Sequence, residues 1–192
     1  MRKRREVGHE ETDFDRLQVL PARIGLIHAE KSIRNDSSPE RALSDIIREI
    51  SRDYTATIID SPPGFGFLTR SALTASDFLL LPLQHQIYSF EGLSQLLLMI
   101  RSIQKKSNPG LKIAGVFYTM CRTLPDAKPF SDTGAFSFLN RRLFKTVIPW
   151  DDTLAKAADR MQPAALLDIL SKGSVSYMQL ARELMDELAG HH

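Results

Sequence analysis

Cys121 is the one cysteine in 192 residues, which excludes a disulfide framework and a thiolate metal cluster. The five histidines (His9, His28, His85, His191 and His192) show no metal-ligand spacing; the last two read as the remnant of a tag and are set aside. No apolar run reaches the ~18 residues of a membrane span, and the first twenty residues are too charged for a secretory signal. A cytoplasmic location is therefore the default expectation. Ser61 has no Gly-x-Ser-x-Gly elbow around it, so no hydrolase nucleophile is expected there. None of the ten glycines is followed by lysine, so the phosphate-cradling G-x-x-x-x-G-K-[ST] loop does not occur in these residues. A net charge of +2 does not by itself argue for nucleic acid; any basic patch must be local.

The chain has enough residues for one domain with a sizeable core, and 43% hydrophobic and 25% charged residues suit a globular protein. Residues 1–16, from Arg2-Lys-Arg-Arg5 to Asp15, carry dense charge without helical or strand period and read as a solvated arm. Leu17 to Ala22 alternates and reads as a short strand closed by Pro21, and residues 24–33 as a short helix or an irregular crossing. Ser38-Pro39-Glu40 is a helix start, and Leu43, Ile46, Ile47 and Ile50 share one face of the helix it opens. Phe78–Leu83, Ile113–Met120 and Leu143–Pro149 read as strands. The first is apolar on both alternating faces, as in parallel sheets covered by helices on both sides. Helices are expected over 68–75, from a Ser89 cap to Asn108-Pro109-Gly110, over 151–160 and over 174–188, the last with Tyr177, Leu180, Ala181, Leu184 and Leu188 on one face. Strands alternating with helices imply an α/β fold, a mainly parallel sheet with helices on both faces.

The chain is organised around Tyr54 to Phe67. Thr55 to Ile59 is β-branched and predicts a strand ending at Asp60; Ser61-Pro62-Pro63-Gly64 then turns the backbone. A carboxylate at the carboxyl end of a strand faces the edge where open α/β sheets bind ligands, and in phosphoryl-transfer proteins such an aspartate holds Mg²⁺. The other reading is that Asp60 caps the turn that follows.

Four stretches in order resemble the ParA family of partition ATPases, cousins of MinD. Ile58-Ile-Asp-Ser-Pro-Pro63 resembles the switch II aspartate and its Pro-Pro turn. Leu81-Pro-Leu-Gln84 with Ser89-Phe-Glu-Gly92 resembles the next strand and helix. Phe144-Lys-Thr-Val-Ile-Pro149, with Leu154, Ala155 and Ala157, resembles the segment that shapes the adenine pocket. Ser171-Lys-Gly-Ser-Val-Ser-Tyr177 resembles the start of the last helix. Leu17–Ala22 fits the strand ahead of switch II less specifically. The resemblance implies a P-loop NTPase-like fold over residues 17–190. Asp60, Ser61, Pro62 and Pro63 would form switch II, with Asp60 toward Mg²⁺. Met120, Arg122, Pro149 and Asp151 would lie at the nucleotide. It also implies Mg²⁺ and ATP as cofactors, a ParB-like centromere-binding partner, a dimer, and non-specific DNA contacts through basic residues such as Arg141, Arg142, Lys145 and Lys172, which would be salt-sensitive.

The family's glycine- and lysine-rich P-loop precedes the part that matches. The expectation is thus a chain truncated ahead of Met1, whose site lacks its phosphate cradle and does not hydrolyse ATP by itself. The resemblance also makes the absent strand a central neighbour of the Asp60 strand, so bare apolar surface is expected. Two alternatives stand beside this: a non-catalytic module pairing with an intact ParA-like ATPase or its DNA-bound partner, and a MinD-like positioning protein. The latter group ends in a basic amphipathic helix, whereas Arg182, Glu183, Asp186 and Glu187 are expected on the outer side here. Trp150-Asp151 stands where the family has Arg-Asn; Trp150 reads as core, with stacking on a base as the other reading.

Overall fold

The computed structural model describes residues 10–12, 14–21, 40–84, 90–123 and 136–190. Its first elements are two-residue strands, β1 (Glu10–Glu11) and β2 (Gln18–Val19), paired antiparallel. Two expectations are corrected here. The short strand expected at Leu17–Ala22 forms as Gln18–Val19, but in this hairpin and not in the parallel sheet, and the arm is not shapeless to its end, because Glu10–Glu11 is the other half of the hairpin. Leu17, Val19 and Leu20 are all exposed. A single alternation is too short to bury a face, and Pro21 removes the next ladder donor. Ala22 and the proposed crossing at 24–33 lie outside the described residues.

Helix α1 (Arg41–Ile50) half-buries Leu43, Ile46, Ile47 and Ile50, as their spacing predicts, and a 3₁₀ turn (Ser51–Asp53) ends it. Ser38 and Pro39 lie outside the described residues. The helix begins after Glu40, which does not cap it; its carboxylate instead takes Arg70 Nε at 2.6 Å. The strand expected at Thr55–Ile59 does not form: among the described residues nothing pairs with it. Tyr54 is extended (φ −125°, ψ 145°), but Thr55 to Ile58 are exposed, Ile58 at 93%. β-Branching favours an extended backbone locally, whereas a strand exists only through a neighbour's ladder.

The core begins at helix α2 (Phe67–Ala75) and runs through strand β3 (Phe78–Gln84), helix α3 (Phe90–Lys106) and strand β4 (Lys112–Cys121). Then come the short helix α4 (Ser137–Asn140), strand β5 (Leu143–Pro149), helix α5 (Asp152–Asp159), the single turn α6 (Ala164–Leu167) and helix α7 (Lys172–Ala189). Ser89 lies outside the described residues, and α6 has no counterpart in the sequence pattern. Strands β3, β4 and β5 pair in that order, all parallel. Asn108, at the end of α3, ties this layer together by donating to Leu73 O (3.0 Å) and Ser76 O (2.6 Å) at the end of α2.

The pleat sends alternate residues to two cores. Leu81, Leu83, Val116, Tyr118 and Val147 pack with Leu73 of α2, with Leu93, Leu97, Ile100 and Ile103 of α3, and with Leu139 of α4. Leu80, Phe117, Phe144 and Ile148 face the other way onto Leu154 of α5 and Leu180 and Leu184 of α7. The sheet is therefore covered on both faces, as its continuous apolar strands predict. Gly115 is required by this packing: a Cβ there would stand 2.2 Å from the Phe144 ring.

Strand β5 carries a register shift between Tyr118↔Val147 and Val116↔Leu143. Within it, Lys145 N and Thr146 N both donate to the Glu183 carboxylate of α7, at 2.7 and 3.0 Å. Glu187 of the same helix pairs with Arg142 Nη1 at 2.7 Å. Glu183 and Glu187 thus face the sheet, not the outer side expected for them. The buried face of α7 is Gly173, Ser174 and Leu180, with Leu184 and Leu188 half-buried, while Tyr177 and Ala181 are exposed. Glu183 turns toward the sheet to take the two β5 amides, and Gly173 lets the first turn pack closely on Leu154 of α5.

Candidate functional site

The carboxyl ends of β4 and β5 and the first turn of α7 line an open cavity of about 470 Å³. Cys121, Arg122 and Thr123 form one wall and Val147 and Pro149 the floor; Leu170, Lys172, Val175 and Ser176 close the opposite side. The surface is mostly apolar, with two cations at its rim. The two strand ends are joined by Trp150 N donating to Cys121 O at 2.8 Å. Met120, just before the wall, takes the left-handed region (φ 55°). For a non-glycine residue that is a strained backbone, of the kind that gathers at ligand sites. Cys121 is buried, and burial pushes its thiol up, so it serves as a neutral apolar wall and not as a thiolate nucleophile.

Asp151 shapes this cavity from outside it. Its Oδ1 accepts from Thr153 N at 2.8 Å, capping α5, and its Oδ2 accepts from Gly173 N at 2.7 Å in the first turn of α7. Two helix starts therefore point at one carboxylate, where their dipoles favour negative charge. The Gly173 amide first, then the Thr153 amide, holds this carboxyl below its ordinary value, with Lys172 adding to the effect. Ser171 Oγ caps α7 in turn by accepting from Ser174 N at 3.1 Å. The pattern Asp-x-Thr ahead of Leu154 and Ala157 is an N-cap signal that sequence reasoning passes over when it assigns Asp151 to a nucleotide by resemblance alone.

The guanidinium of Arg122, which lines the cavity, lies 4.2 Å from the centroid of the Trp150 ring, itself outside the lining. Trp150 is 48% exposed, which corrects its reading as a core residue: β5 ends at Pro149, and the ring projects past the sheet onto Arg122. Met120 is exposed beside them and Pro149 is half-buried in the floor. Of the residues assigned to a nucleotide, Arg122 and Pro149 line the cavity, Met120 bends the wall, and Asp151 holds the helices. Val147 lies in the Phe144–Pro149 stretch whose resemblance points to an adenine pocket, and Lys172 reads in the sequence only as a DNA contact; Leu170, Val175 and Ser176 are not singled out there, the resemblance of the Ser171–Tyr177 stretch being the available signal for the last two.

Asp60, Ser61, Pro62 and Pro63 are all exposed on the segment that leads to α2. Pro62 O accepts from Thr69 Oγ1 at 3.2 Å, and Gly64 (φ 107°) turns the chain. Among the described residues no group of three or more His, Cys, Asp or Glu side chains is placed to hold a metal ion. Asp60 thus stands as a single exposed carboxylate, apart from the apolar cavity lined by Arg122 and Pro149. The four basic residues do not form one cluster. Arg141 and Lys145 are exposed, Arg142 is paired with Glu187, and Lys172 stands at the opposite end of α7 from Glu187, about 22 Å of helix away at ~1.5 Å per residue.

Residues 3–113 match the family described as AAA domain. Chromosome partitioning protein ParA of Myxococcus xanthus is 36% identical over 174 residues, 91% of this chain and 62% of the relative. Sporulation initiation inhibitor protein Soj of Bacillus subtilis is 37% identical over 175 residues, 90% of this chain and 68% of the relative. The chain thus spans about two thirds of the length of these relatives. The septum site-determining protein MinD of Pyrococcus horikoshii, solved in complex with Mg-ADP, superposes with a TM-score of 0.68 over 95% of this chain and 68% of that one. At 24% identity this likeness speaks for the fold. No helix among the described residues is long and apolar enough to cross a membrane.

Proposed function

The chain belongs to the ParA family of chromosome-partitioning proteins, and from that premise we propose that it serves plasmid or chromosome partition through a base-binding cavity while not hydrolysing ATP by itself. The observation that carries this reading is the pairing of a formed cavity between Pro149, Cys121 and Lys172 with ten glycines of which none precedes a lysine. A mostly apolar lining that carries two cations, Arg122 and Lys172, is of the kind that takes a planar base, which supports this reading. Phosphoryl transfer needs a backbone cradle, a lysine and Mg²⁺ around the phosphates. Asp60 would be the Mg²⁺ residue of switch II with Ser61, Pro62 and Pro63, but it stands exposed without such a cradle among the described residues. Bound nucleotide would supply the conformational signal; this chain's part is to seat the base against Pro149, beside Arg122, and to keep the α7 start in place through Asp151.

By the same reading the chain works in the cytoplasm at the nucleoid. It would meet non-specific DNA through Arg141, Arg142, Lys145 and Lys172, and a ParB-like centromere-binding protein. Salt-dependent DNA retention that falls with Arg141→Ala and Lys145→Ala would support the DNA contact. The function is tested by incubating the purified 192-residue chain with ATP and Mg²⁺. Absence of phosphate release is expected, and turnover that disappears in Asp60→Ala overturns the reading.

A second reading is favoured by Ile58, 93% exposed on a segment that joins no strand ladder among the described residues. On this reading the chain is a non-catalytic module, alone as a homodimer or paired with an intact ParA-like chain. Co-purification with such a chain, lost in Ile58→Glu, would favour it over the first.

A further inference from the structure

Arg122, which lines the cavity, and Trp150, which follows the lining residue Pro149, stand on adjacent strand ends, and their separation is set by backbone. Trp150 N–H bonds Cys121 O at 2.8 Å, which places the residue after Cys121 beside the indole. The guanidinium then lies 4.2 Å from the ring centroid, well inside the ~6 Å range of a cation–π contact. Neither side chain is held by burial; both are exposed.

We infer that the Trp150 indole is the stacking platform for a planar ring entering this cavity, and that Arg122 is its resting occupant, which the ring displaces. The inference rests on the reading of the cavity as a base pocket and adds the residue that grips the base and the one that competes for it. An indole face attracts a guanidinium and a heteroaromatic ring by the same π surface. A ring that slides over Pro149 toward Trp150 must take the place Arg122 holds. The displaced guanidinium remains on the rim that Lys172 also lines, so the favoured class of ligand is a planar base carrying an anionic group.

Trp150 is the only tryptophan in the chain, so its fluorescence reports this face alone. Without any ligand, Arg122→Ala should raise acrylamide quenching of Trp150. Adenosine should quench the wild-type emission saturably, and ribose 5-phosphate should not. Arg122→Ala should bind adenosine about two- to five-fold more tightly, the value of an exposed cation–π contact. Trp150→Ala, followed by NMR shifts of cavity residues, should bind it at least about five-fold more weakly, with Trp150→Phe in between. Unchanged acrylamide quenching in Arg122→Ala, or adenosine bound equally by wild type and Trp150→Ala, overturns the inference and leaves the base pocket standing. Failure of adenosine to shift any cavity resonance in the wild type overturns the pocket reading itself, and the inference with it.

Discussion

The Asp151 carboxylate and the Gly173 amide meet at 2.7 Å, and the second oxygen of the same carboxylate takes the Thr153 amide at 2.8 Å. One side chain therefore caps α5 and fastens the first turn of α7 to it, beside the wall that Lys172, Val175 and Ser176 give the cavity. Asp151→Ala leaves both amides without their acceptor. With each cap worth about 0.5–2 kcal/mol, a loss of about 2 kcal/mol is expected in urea unfolding. Asp151→Asn keeps one acceptor oxygen and should fall between. An unfolding midpoint for Asp151→Ala equal to that of the wild type would show that the double cap does not hold the helices.

The same contact fixes a pH dependence. The Gly173 and Thr153 amides lower the Asp151 pKa in the folded chain, while the unfolded chain keeps a value of about 3.9. The folded state thus holds the proton less well. This contribution to stability is complete above the unfolded value and is lost as pH falls from it through the lower folded value. The difference in stability between wild type and Asp151→Asn should be level above about pH 5 and shrink below about pH 4. A difference that grows on acidification would reverse the sign and reject the assignment.

Gly173 decides how close α7 comes to α5. A Cβ there would stand 2.6 Å from Leu154 Cγ and 2.9 Å from both its Cδ atoms. Alanine is favoured over glycine in a helix by up to ~1 kcal/mol, but forcing a methyl into a packed contact costs about 1–3 kcal/mol. Gly173→Ala should therefore destabilise by about 1 kcal/mol. In a Leu154→Ala background the clash is gone, and the same change should become neutral or stabilising. A double-mutant cycle of thermal unfolding measures this, and additive effects would mean that the two residues do not touch.

The parts of the fold that were legible in the sequence are those whose signal is local. Phe78–Leu83 and Leu143–Pro149 announce buried parallel strands by continuous apolar runs, and both form where expected. The Asp60 segment failed for the opposite reason. Thr55–Ile59 carries the local preference for extended backbone, but a strand also needs a ladder partner distant in sequence, and none stands beside it among the described residues. The face of α7 was misread because apolar period alone placed Tyr177 and Ala181 inward. Glu183 turns inward instead, since the shifted register of β5 leaves two amides that a carboxylate can satisfy. At the site, Arg122 and Pro149 were legible by resemblance, whereas the stack of Arg122 on Trp150 depends on two strand ends whose adjacency no local pattern records.

Glu183 and Glu187 sit one turn apart on α7, yet they should differ in what they contribute. Glu183 accepts two backbone amides of β5, from Lys145 and Thr146, and replacing it leaves those donors to water at a strand irregularity. Glu187 makes a 2.7 Å pair with Arg142 in which both side chains remain over a third exposed, so solvent and salt weaken it. Glu183→Ala should cost about 1.5 kcal/mol in urea unfolding, in the range of hydrogen bonds to a charged group. Glu187→Ala should cost about 0.5 kcal/mol, and less at high salt. Glu183→Gln, which keeps one acceptor oxygen, should recover part of the loss. If Glu187→Ala proved as costly as Glu183→Ala, the ion pair rather than the capped strand would be what fastens α7 to the sheet.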